Sequence, residues 1–130
     1  MSGEHPSTGQ LAAAISNTVV RAIADATGRG PTKARTTIGH DAIFVVVQDT
    51  LTKGERTLVE AGDRGTVLRM REAWQRVMHE SLNREIEDLT GRRIIGFMST
   101  NHIEPDLGVE VFILEPSDAD GHVVEGHSDS

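Results

Sequence analysis

The run Ile43-Phe44-Val45-Val46-Val47 constrains this chain more than any other segment. Five successive bulky residues, β-branched or aromatic, favour an extended strand over Ala42–Gln48. Side chains alternate sides along a strand, so an unbroken apolar run implies burial on both faces. Helices on each side would supply it, and so would a second subunit. A preceding strand at Lys33–Ile38, joined through Gly39-His40-Asp41, completes a hairpin.

Helical periodicity surrounds this hairpin. Leu11, Ile15, Val19, Ile23 and Ala26 recur at helical spacing between Gln10 and Thr27. Gly28 then fits a left-handed C-cap, and Pro31 prevents continuation. Thr52-Lys53-Gly54-Glu55 has the form of a capping box, so a short helix opens there and stops at Gly62. Asp63 caps a longer helix reaching about Thr90, before Gly91. Its expected core stripe is Val67, Met70, Trp74, Val77, Met78, Leu82, Ile86 and Leu89. Arg76, Glu80, Arg84 and Asp88 follow at spacings of four on the opposite face, suited to exposed ion pairs. Arg93–Ser99 and Gly108–Leu114 read as a second strand pair. The order α-β-β-α-α-β-β predicts one α+β domain over residues 10–116, with a largely antiparallel four-stranded sheet packed with helices.

Composition narrows the function classes. Aromatic residues make up only 3% of the chain, so the core must be mainly aliphatic. Cysteine is absent, which removes disulfide and thiolate chemistry and suits a reducing compartment. No apolar run approaches the roughly 20 residues that span a bilayer, and MSGEHPSTGQ lacks the pattern of a signal peptide. A cytoplasmic location is expected, peripheral to a membrane at most through a partner and without direct insertion. Of the net charge of −7, Glu115, Asp118, Asp120, Glu125 and Asp129 contribute five units, with no Lys or Arg beside them. Residues 1–9 and this acidic tail, 117–130, are expected to be disordered. Nucleic-acid binding is not expected, because the chain is acidic and poor in stacking side chains.

Two polar segments are candidates for a site. Gly28–Arg35 offers Arg29, Lys33 and Arg35, which suit a carboxylate, bicarbonate or phosphate, with Lys33 and Arg35 on one side of an extended strand. The bland alternative is a helix stop, a turn and a charge-protected strand edge. Asn101–Asp106 offers Asn101, His102, Glu104 and Asp106. His102 can accept a proton or bind a metal with Asp106 beside it, yet the spacing matches no zinc pattern. Pairing of Glu104 and Asp106 with Arg29 or Arg35 would instead make both segments structural. His40-Asp41 reads as turn residues, and His122 and His127 as solvent-exposed tail residues. Ser99 and Thr100 have no adjacent histidine–carboxylate arrangement of a nucleophile. No catalytic residue, metal site or cofactor is assigned.

Three blocks carry a family resemblance: GRGPTKARTTI at 28–38, DTLTKGERTLVEAG at 49–62 and STNHIEPDLGVEVFILEP at 99–116. In this order and spacing the chain resembles the bacterial YbcI-like, or MpsC-like, family from about Ser16 to Pro116. The resemblance implies a small protein associated with a cation-dependent, membrane-potential-generating system linked to inorganic carbon supply, and it brings no catalytic residues with it. The expected function is a non-enzymatic accessory or regulatory protein. A homodimer is expected, with a membrane transporter subunit as a further partner. The alternative is a small anion- or metal-binding enzyme using His102 and Asp106 with Lys33 and Arg35.

Overall fold

A computed structural model describes residues 7–116. Helix α1 (Thr8–Thr27) leads into strands β1 (Lys33–Ile38) and β2 (Ala42–Gln48). Helices α2 (Lys53–Glu60) and α3 (Arg64–Thr90) follow, then strands β3 (Ile94–His102) and β4 (Leu107–Leu114). The element order is the expected one. The expectations for residues 1–6 and 117–130 lie outside the described residues. Residues 8 and 9, expected outside the domain, form the start of α1. A second capping box explains this: Ser7 Oγ accepts from the Gln10 N–H, and the Gln10 side chain accepts from the Ser7 N–H. Thr52 and Glu55 form the anticipated box on α2. Gly28 and Gly91 close α1 and α3 in the left-handed conformation.

The four strands form an open antiparallel sheet in the order β1-β2-β4-β3. Ile43, Val45 and Val47 of β2 join Phe112 and Leu114 of β4 in the main core. Against them pack Ile15, Val19 and Ile23 of α1 and Met78, Leu82 and Ile86 of α3. A smaller cluster of Leu51, Val67 and Ile103 lies beside Leu58 and Val59 of α2.

Three expectations need correction. Both long helices cover the same sheet face, so the chain's own helices do not bury the β2 run on both sides: Phe44 is exposed and Val46 half-buried. The α3 core stripe is Val67, Arg71, Gln75, Met78, Leu82 and Ile86. That set advances in steps of four and three residues, as one helix face requires. Met70, Val77 and Leu89 point away, and Val77 is 81% exposed. Arg71 and Gln75 can occupy core positions because Arg71 Nη1 and Nη2 reach the buried Thr50 and Glu55 and the Gln75 amide reaches Asn101, although Arg71 Nε has no partner. The anticipated ion pairs among Arg76, Glu80, Arg84 and Asp88 do not form. Arg21 of α1 instead approaches Glu85 at 3.8 Å.

Candidate functional site

The register places Lys33, Gln48, Leu107 and His102 in one row across the sheet. The Gly28–Arg35 segment and the 101–106 loop therefore share an end of the sheet. Asp49, which follows β2, joins them. Its φ of 61° is a left-handed conformation that Asp tolerates better than most residues, and it turns the chain out of the sheet. The Asp49 N–H donates to the Asp106 carbonyl at 3.1 Å. Its carboxylate meets Arg29 at 2.8 Å and Arg56 at 2.8 Å. The hydrogen bond from Arg29 is the main reason its pKa lies below the ordinary value, with partial desolvation opposing the shift.

Asp106 faces inward from this cluster. Its carboxylate accepts from Thr50 Oγ1 and from the Leu51 N–H, each at 2.9 Å. Arg71 then reaches Thr50 Oγ1 at 2.7 Å and Glu55 Oε1 at 2.9 Å, while its guanidinium lies 5.6 Å from the Trp74 ring centre. Glu55 Oε1 also accepts from the Thr52 N–H, so the capping box and the buried ion pair share one oxygen. This network ties the start of α2, the N-terminal part of α3 and the β3–β4 loop together.

The inner polar layer continues along α3. Gln75 and Asn101 exchange amide hydrogen bonds at 3.0 and 3.3 Å. Ser99 and Glu110 face each other across β3 and β4 and share a hydrogen bond. Burial pushes the Glu110 pKa up, while the Ser99 bond and the Arg71 charge act against it. Ser99, Gln75, Phe97 and His79 line a cavity of about 240 Å³, with Glu72 and Arg76 completing it. The His79 and Phe97 rings stack there, 4.7 Å between centres.

The anticipated site residues thus separate by role. Arg29 and Asp106 belong to the ionic network, although Arg29 takes Asp49 rather than Glu104 or Asp106. Asn101 turns inward to Gln75, and Glu104 pairs with Arg64 at 2.9 Å. His102 Nδ1–H donates to the Pro105 carbonyl at 2.8 Å. Lys33 and Arg35 point outward from β1 and, with Thr32, Val46 and Gln48, line an open depression of about 500 Å³. Three strand spacings, about 14 Å, separate Lys33 from His102, too far for one small ligand to bridge. Among the described residues, no three His, Cys, Asp or Glu side chains are grouped to hold a metal ion.

Sequence reasoning overlooked Thr50, Arg71, Gln75 and Glu110, and weighed Ser99 only as a nucleophile. Two signals were present: Arg71 and Gln75 complete the 67–86 stripe, and Glu110 shares strand parity with Phe112 and Leu114.

Residues 7–116 match the family model described as Na+-translocating membrane potential-generating system (MpsC). The chain belongs to the MpsC family. No curated protein and no solved structure matches it. No helix among the described residues of this MpsC-family chain is long and apolar enough to cross a membrane.

Proposed function

We propose that this chain is a non-enzymatic accessory or regulatory component of a cation-dependent, membrane-potential-generating system linked to inorganic carbon supply. In this reading it acts from the cytoplasmic side as a homodimer, beside a membrane-spanning transporter subunit that carries the ion. The family match over residues 7–116 carries the reading, because its description names an ion-translocating system. The engagement of Arg29, Asp49, Arg56 and Asp106 with one another supports a binding scaffold at that end of the sheet rather than a reaction centre. The enzyme alternative has less support: His102 and Lys33 stand on strands at opposite edges, and both Asp106 oxygens already accept hydrogen bonds.

The test uses inverted membrane vesicles carrying the transporter subunits of such a system, with a voltage-sensitive dye. Added purified chain should change the Na+-dependent potential in a saturable way and sediment with those vesicles, but not with vesicles lacking the subunits. No change in potential at a saturating amount of chain would overturn the reading.

A further inference from the structure

Beyond its loop network, the molecule has one broad apolar surface that nothing in the chain's described residues covers. It is the sheet face opposite the helices. Phe44 and Val46 of β2 stand beside Val111 and Val109 of β4, with Ile113 on β4 and Met98 on β3. Phe44 is 44% and Met98 54% exposed. The outer strands bring polar groups to both margins: Lys33, Arg35 and Thr37 on β1, Thr100 and His102 on β3. No outward side chain of the four strands is a carboxylate.

We infer that a second copy of this chain closes this face, sheet against sheet, with the twofold axis parallel to the strands. The inference supplies the geometry of the dimer in the reading above, and it fails separately, since a mass measurement needs no transporter. Width argues for a sheet as the occupant. The whole face, polar margins included, spans about 19 Å over four strands, whereas one helix with its side chains covers about 10–12 Å, so a second sheet covers centre and margins together and a helix does not. An apolar centre with polar margins on both sides is a pattern that matches itself when two sheets stack about 10 Å apart.

Charge selects the axis. A twofold perpendicular to the strands stacks β1 on β1 and brings Lys33 and Arg35 toward their own copies. A twofold parallel to the strands lays β1 over β3 of the partner, so the cations meet Thr and His side chains and each Phe44 meets the partner's β4. The paired faces give roughly 450 Å² of projected area per copy from strand spacing and rise. That falls below the roughly 800 Å² per partner of a standard stable interface, so association should be weak and reversible, in the micromolar range or above.

Light scattering and sedimentation over a concentration series test the inference. The mass should approach twice 14.1 kDa at the upper end, and Phe44→Glu should hold it at one chain with its circular dichroism unchanged. A second test leaves the apolar centre intact and exploits the absence of cysteine. Thr37, Phe44, Val111 and Met98 share one row. A Thr37→Cys and Met98→Cys double variant should therefore cross-link between copies through a short bismaleimide spanning about 10 Å. Thr37→Cys alone should not. A wild type that stays monomeric, or a dimer untouched by Phe44→Glu, overturns the inference. So does cross-linking by Thr37→Cys alone.

Discussion

Replacing Arg71 with Met tests what holds the α2–α3 end together. Methionine preserves much of the aliphatic stem but removes the guanidinium. Glu55, 2% exposed, then loses its buried cation, since only the Thr52 N–H still reaches that Oε1. Thr50 Oγ1 loses a donor, and Trp74 loses the charge near its ring. Removing one member of a buried ion pair costs about 3–5 kcal/mol because the survivor remains desolvated. Against a typical total of about 5–15 kcal/mol, that is a large fraction. Adding Glu55→Gln removes the stranded charge while keeping an acceptor for the capping box. The double variant should therefore lose at least about 2 kcal/mol less than the sum of the singles. Urea unfolding followed by circular dichroism reads all four corners of the cycle, at one protein concentration because association adds to apparent stability. The pair is buried, so moderate salt should change the result little. A loss below about 1 kcal/mol for Arg71→Met, or strict additivity, would refute the reasoning.

Glu110→Gln should alter the pH dependence of stability. The folded pKa of Glu110 lies above its ordinary 4.5, so the folded state holds more protons between the two values. Wild-type stability should fall as pH rises from that ordinary value through the folded pKa, and Gln, which can donate to Ser99 Oγ, should remove this fall. Melting curves that stay parallel across that window would count against it. Gly108→Ala should destabilise by about 1–3 kcal/mol in urea titrations, because its Cβ would lie 3.2 Å from Val47 Cγ2. A neutral effect would mean that β2 and β4 yield there more readily than their packing implies.

The elements were legible wherever local chemistry decides them. The α1 stripe, its Gly28 stop and the Thr52–Glu55 box depend on residues a few positions apart, and each formed as read except that Ala26 is exposed and Thr18 takes a buried place. The Ser7–Gln10 box was written in the same grammar, but its polar surroundings made it look like a tail. The face of α3 was misjudged because apolarity was followed in place of geometry: Met70 and Val77 attracted the stripe, while Arg71 and Gln75 held the inward positions. The apolar run of β2 predicts burial on both faces, whereas the helices cover one and leave Phe44 exposed and Val46 half-buried. Which side the helices would leave open depends on packing between distant segments. The basic and acidic loops were placed at one end of the molecule, yet the residue joining them, Asp49, belonged to neither cluster.

The long separations in the network explain why no window of sequence displayed it, and they also determine how it should fail. Thr50 and Asp106 are 56 positions apart, and Leu51 and Asp106 are 55 apart. Arg71 reaches back across 21 positions to Thr50 and across 16 to Glu55. Each of these bonds closes a long loop, so none can persist by itself once the chain opens. Their geometry survives only while the β2–α2 turn, α3 and the β3–β4 loop are docked together. The adjoining apolar cluster of Leu51, Val67 and Ile103 draws on the same three segments. Loss of Arg71 should therefore lower the stability of the whole domain rather than fray a single loop.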